Sequence, residues 1–189
     1  MVRSVLPLFA FALAATAPAL AAEPIPLAPF RTVELVAGGD VYIVPGPVQR
    51  VTLVEGSSEF TRFRVRRDNR LEISNSCDAR CPHNYRLRIQ IESPYVPDVA
   101  VHAGGTIVAQ RGFAPQRQLS AAVSAGGTID LRAIEADDVS AAVNAGGDIY
   151  VRPRSSLSAA VNAGGDIHYS GNPRVSMAVH DGGDVRRDY

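Results

Sequence analysis

The sequence predicts an all-β fold, a right-handed parallel β-helix (β-solenoid) forming a single domain of roughly eight coils. Three observations predict it. A Gly-Gly pair recurs at 38–39, 104–105, 126–127, 146–147, 164–165 and 182–183. From the second pair onward the spacings are 22, 20, 18 and 18 residues, and periods near 20 mark stacked supersecondary units. Residues 141–149 and 159–167 carry the same nine letters, AAVNAGGDI. Around the glycines, apolar and polar residues alternate with period two, which is the period of a half-buried strand.

The chain has 189 residues, with 19 basic and 19 acidic side chains and no Trp. That length supports one sizeable core. The charge balance gives no net field to attract nucleic acid. Residues 1–21, MVRSVLPLFAFALAATAPALA, read as a secretory signal peptide. Arg3 is the basic end, Val5 to Ala17 the apolar stretch, and Ala19-Leu20-Ala21 a small-x-small cleavage site. A membrane anchor is the rival, but the apolar run is short and ends at Pro18. The domain is therefore expected over 22–189, with no transmembrane segment once the signal is removed. Its location is expected to be periplasmic, secreted or cell-surface in a bacterium.

Residues 30–95 contain the alternating stretches VTLVEG, FTRFRVRR, RLEIS and YRLRIQIE. The 66 residues from Gly38 to Gly104 equal three periods of 22, so these read as degenerate coils, with an antiparallel start as the alternative. Cys77 and Cys81 lie here in SCDARCPHN. In an oxidising compartment a local disulfide is favoured. Closing so short a loop would contribute only about 2 kcal/mol. A metal site adding His83 lacks a fourth ligand and zinc-like spacing.

Residues 96–189 hold the regular AGG[DT][IV] coils. Leu119, Ala121, Val123 and Ala125 share one face, as do Val139, Ala141, Val143 and Ala145, then Leu157, Ala159, Val161 and Ala163. These faces are expected to line a narrow core. The glycines would turn a corner, with Asp or Thr capping free backbone N–H groups there. In the last coil Asp181 replaces the inward Ala, and the charged tail DVRRDY reads as a cap against edge-to-edge growth.

The stretch FRTVELVAGGDVYIVPGPVQRVTLVEGSSEFTRFRVRRDNRLEIS, followed by serial AGGD/TI coils, resembles the head GIN domain of putative autotransporter adhesins. The resemblance covers about residues 30–185. It implies a β-helix and an envelope location, and it supplies no catalytic residues.

Several residue groups invite chemistry. Asp40, Thr106, Thr128, Asp148, Asp166 and Asp184 form one column after the glycines. The calcium-binding β-roll motif needs a third glycine that is absent here. Repulsion between solvated carboxylates about 5 Å apart is only on the order of 1 kcal/mol, so no cation is required. Two positions on, Asp130, Tyr150, His168 and Arg186 form an outward stripe, with Arg132 and Arg152 beside it. These six are the candidate ligand-binding residues, for carbohydrate or peptide. Arg62, Arg64, Arg66, Arg86 and Arg88 form a second basic group, expected to pair with Glu55, Glu59 or Glu72. The flat face with Ser140, Ala142, Asn144, Ser158, Ala160 and Asn162 could pack on a second copy. No catalytic residue, cofactor or metal is assigned, because no convergent cleft of acids is visible. The resulting expectation is a non-enzymatic, adhesin-like envelope module that binds a surface polysaccharide or protein. The alternatives are a polysaccharide-active β-helix enzyme and a passive self-associating module.

Overall fold

A computed structural model describes residues 22–76, 82 and 85–188. The signal peptide and the Cys77–Cys81 pair lie outside the described residues. Every element is a strand. The amino-terminal part holds β1 (Glu23–Ile25), β2 (Thr32–Leu35), β3 (Asp40–Pro45), β4 (Arg50–Glu55), β5 (Thr61–Val65), β6 (Arg70–Asn75) and β7 (Arg88–Ser93). Next come β8 (Asp98–Ala103), β9 (Thr106–Ala109), β10 (Gln116–Ala125), β11 (Thr128–Ala145) and β12 (Asp148–Ala163). The chain closes with β13 (Asp166–Tyr169), β14 (Arg174–Val179) and β15 (Asp184–Arg187).

All fifteen strands belong to one sheet. Its path runs β1-β4-β7-β3-β9-β11-β10-β8-β2-β6-β5, with β12 to β15 added beside β11. The long strands β11 and β12 each bridge two limbs. β9 pairs with the start of β11 and β10 with its remainder. The result is a nearly closed, barrel-like mixed sheet around one core.

This corrects the expected right-handed parallel β-helix of eight coils. Three pairs are antiparallel: β1 with β4, β4 with β7, and β5 with β6. The 66-residue gap does not hold three stacked coils. β2 lies directly against β8, Val33 opposite Val99, and β3 against β9, Val41 opposite Ile107. The intervening chain is placed outside β2 and β3 and reverses on itself. Its turn residues do this: Asn69 takes φ 59° between β5 and β6, a conformation Asn tolerates better than most residues.

Within the core, equivalent residues pair side by side. Ile73, Leu35, Val101, Val123, Val143 and Val161 form one row, each buried. Ile89, Val41, Ile107, Ile129, Ile149 and Ile167 form another, all fully buried. Small side chains fill the row of Ala121, Ala141 and Ala159. Such rows bury β-branched side chains against like neighbours, which suits the pleat.

The corners are held by backbone hydrogen bonds, not by the expected Asp or Thr side chains. Thr106, Thr128, Asp148, Asp166 and Asp184 donate their N–H groups to the carbonyls of Gly39, Gly105, Gly127, Gly147 and Gly165, at 2.8–3.2 Å. The two glycines of a pair differ in what they tolerate. A Cβ on Gly147 would lie 2.6 Å from Gly127 O and 2.7 Å from Val123 Cγ1. A Cβ on Gly146 would meet nothing within 4 Å. Both have positive φ, 99° and 73°. Gly147→Ala should therefore cost about 3 kcal/mol or more, through clash and strain together. Gly146→Ala should cost about 1–2 kcal/mol, from backbone conformation alone. Urea denaturation of the two variants checks the difference.

Candidate functional site

The outward residues of four adjacent strands meet in one ladder. Asp130 of β11 lies opposite Tyr150 of β12, Tyr150 opposite His168 of β13, and His168 opposite Arg186 of β15. Parallel in-register pairing brings these four together as the sequence alignment on the glycines implies.

Side-chain contacts run along the whole ladder. Arg132 grips Asp130 with both ends of its guanidinium, Nε to Oδ1 at 3.0 Å and Nη2 to Oδ2 at 2.6 Å. Its backbone N–H also donates to Oδ1 at 3.1 Å. The same guanidinium sits 4.6 Å from the Tyr150 ring centroid, a cation–π distance. On the other side Tyr150 stacks on His168, with centroids 4.4 Å apart and planes 23° from parallel. Both faces of Tyr150 are thus covered, leaving its edge and hydroxyl to meet a ligand.

His168 is the most enclosed member, 7% exposed. Its Nδ1 lies 3.0 Å from Asp188 Oδ1, and Arg186 Nη2 lies 3.2 Å from its Nε2. Arg186 Nε lies 3.4 Å from the same Nδ1, so Arg186 reaches both ring nitrogens and shares Nδ1 with Asp188. Arg186 also lies 3.7 Å from Asp166.

Two electrostatic effects compete at Asp130. Burial pushes its carboxyl up, but the hydrogen bonds and charge of Arg132 outweigh this and hold it below the usual carboxylate range. Arg132 is raised in turn, first by its hydrogen bond to Asp130.

A groove of about 830 Å³ opens beside the ladder, lined by Gln110, Arg111, Asp130, Arg132, Ala133 and Arg152 among others. Arg152 stays outside the stack. The register of β11 on β12 shifts between Asp130 and Glu135. Glu135 therefore comes opposite Arg152 and pairs with it at 2.9 Å. Arg111 makes no ion pair with the described residues. The sequence reading missed Gln110 and Arg111. Alignment on the glycines would have found Gln110, which stands where Arg132 and Arg152 stand in the next copies. Arg111 follows the end of β9 and carries no repeating signal.

The remaining candidates fall elsewhere. Asp148, Asp166 and His168 bring donor atoms within 4.8 Å of one another and, among the described residues, are the set that could hold a metal ion. Arg186 already supplies positive charge to Asp166 and His168 there. In the amino-terminal basic group Arg66 pairs with Glu72, and Arg88 lies 3.6 Å from Glu55. The flat polar face is a ladder in its own right, Asn162 Nδ2 donating to Asn144 Oδ1 at 2.7 Å.

Residues 98–173 match the family described as "Putative auto-transporter adhesin, head GIN domain". The matched head GIN segment spans β8 to β13 and contains Asp130, Arg132, Tyr150, Arg152 and His168. The match agrees with the resemblance drawn from the sequence over residues 98–173. A putative adhesin from Bacteroides fragilis has the same fold, at TM-score 0.50 and 17% identity, covering 89% of this chain and 96% of that one. A putative cell adhesion protein from Clostridium sporogenes aligns at TM-score 0.39 and 12% identity, over 89% of this chain and 99% of that one. A putative adhesin from Parabacteroides merdae aligns at TM-score 0.39 and 11% identity, over 89% and 96%. No curated protein matches the chain in sequence. Among the described residues no helix is long and apolar enough to cross a membrane.

The Arg132–Asp130 clamp predicts a pH dependence. A carboxyl whose folded value is depressed adds stability that is fully present above about pH 4 and is lost as pH falls through the depressed value. The Arg132 side chain is more than half exposed and screened by solvent, so the pair contributes at most about 1 kcal/mol. Asp130→Asn should lower the thermal midpoint at pH 7, and the gap to the parent protein should close on acidification below about pH 4. Thermal melts from pH 2.5 to 7 measure this.

Proposed function

We propose that this protein is a non-enzymatic, adhesin-like binding module of the bacterial envelope. It is exported with residues 1–21 as a cleaved signal, and it recognises a surface polymer or protein through the outer face of β11, β12, β13 and β15. Asp130, Arg132, Tyr150, Arg152, His168 and Arg186 form that face. The observation that carries this reading is the groove beside the ladder, where Arg111, Arg132 and Arg152 converge. Arg132 and Arg152 border the groove while bonded to Asp130 and Glu135, and Arg111 adds a third guanidinium that favours a carboxylate, phosphate or sulfate group, which accepts paired N–H bonds. The covered faces of Tyr150 direct recognition to these donors and away from sugar stacking.

The enzymatic alternative has less support. A glycosidase needs one carboxyl held protonated beside a second. Asp130, the acid in the groove, is instead held ionised by Arg132.

Immobilised uronate-rich and neutral polysaccharides, and envelope proteins, test the proposal. Saturable retention that falls with added salt, with no released product, is expected. Arg111→Ala should weaken retention by about tenfold or more, the usual scale for losing a charged hydrogen-bond donor. Release of shortened chains, or retention unchanged by Arg111→Ala and Arg132→Ala, would defeat the proposal.

A further inference from the structure

The two ends of the sheet are unlike. At the amino-terminal end the outermost strands are β1 and β5, each antiparallel to its single partner. β1 contains Pro24, which has no N–H to offer, and β5 presents exposed Arg62 and Arg64. Proline and outward charge are the usual devices that blunt a sheet edge. At the opposite end the charges gather on β15, where Asp184, Arg186 and Arg187 are exposed, while β14 carries one exposed charge, Arg174, at its start. Among the described residues β14 pairs only with β12, and β15 only with β13.

Apolar side chains continue onto this open end. Val175, Met177 and Val179 extend the buried rows of Leu157, Ala159 and Val161. With no strand beyond them, Met177 is 56% exposed and Val179 40%. They are two of the four large apolar side chains exposed among the described residues. β14 also leaves one row of backbone N–H and C=O groups unpaired, a ready template for another strand.

We infer that this end docks a second copy of the chain, β14 pairing antiparallel with its counterpart about a two-fold axis. The register follows from the face rule that directly opposite residues share a face. Centred on Met177, it sets Met177 against the partner's Met177 and Val175 against the partner's Val179. Ser176 then meets the partner's Ala178, so no like charges oppose within the centre of the strand. The β15 edge is also self-complementary. An inverted copy registered on Val185 places Asp184 opposite the partner's Arg186, on the outer face. Head-to-tail growth is disfavoured, because the amino-terminal end offers arginines and a proline where β14 offers valine and methionine. A self-complementary patch on one end only gives a closed dimer and not a filament. The contact takes up Arg186 but leaves the groove of Arg111, Arg132 and Arg152 free, so variants at Arg111 and at Met177 test ligand binding and dimer formation separately.

Sedimentation velocity of the purified protein across a concentration series tests this. A dimer is expected. Met177→Lys and Val179→Lys should each raise its dissociation constant at least 100-fold with an unchanged far-UV spectrum. Val48→Lys, at a residue 54% exposed elsewhere, should leave the dimer intact. Hydrogen exchange of the β14 amides in the parent protein gives a variant-free check: it should slow as concentration rises. A monomer throughout the series, or a dimer that survives both lysines, would overturn the inference, as would β14 exchange that ignores concentration.

Discussion

Everything in this molecule depends on how close neighbouring strands come at the glycine corners. Strands in a sheet lie about 4.8 Å apart. At the second glycine of each pair that distance leaves no room for a side chain. A Cβ at Gly127 would lie 2.7 Å from Val101 Cγ1, and one at Gly105 would lie 2.7 Å from both Gly39 O and Leu35 Cδ2. Each corner therefore seats on the corner before it, and its N–H donors reach the carbonyls below. Once the corners are seated, the register of the residues around them is set. Val101, Val123, Val143 and Val161 fall on one another across β8, β10, β11 and β12, as do Ala121, Ala141 and Ala159 across β10 to β12.

The outer face inherits the same register. Side chains one strand apart stand at stacking distance, so Arg132, Tyr150, His168 and Arg186 stack because their strands do. Acids within the ladder are neutralised locally, Asp130 by Arg132 and Asp166 by Arg186. The groove differs because its chain leaves the ladder after Ala109 and brings Arg111 in from a turn. Regular pairing thus builds a surface of internally paired charges, and the segment after β9 brings in Arg111, which has no ion pair among the described residues. That division of labour is common where loops carry recognition on a stiff scaffold.

The all-β class, most of the buried faces of the glycine-paired segments and the Asp130–Tyr150–His168–Arg186 ladder were legible from the residues, but Ala125, Ala145 and Ala163, read as inward, are exposed beside the glycine corners. Near-identical copies must pair in register or leave unlike side chains opposed, so aligning the glycines was enough. The partners of Arg152 were not legible. They depend on the slip in β11 between Asp130 and Glu135, where Leu131 and Ile134 both turn inward and break the period of two. The placement of residues 50–93 was not legible either. Their alternation is as good as that of the regular segments, but alternation does not say which edge a strand joins or in which direction.

By itself, the sequence determined most of the inward face and which copies lie side by side. Both follow from period-two patterning and from glycines that admit no substitute at a close backbone approach. Only the tertiary structure decided that β2 and β3 join β8 and β9 across 66 residues of chain, that three pairs run antiparallel, and that the sheet nearly closes. Those outcomes rest on competition among edges that all offer the same backbone hydrogen bonds. It is settled by how the whole sheet packs around one core and not by any local stretch of residues.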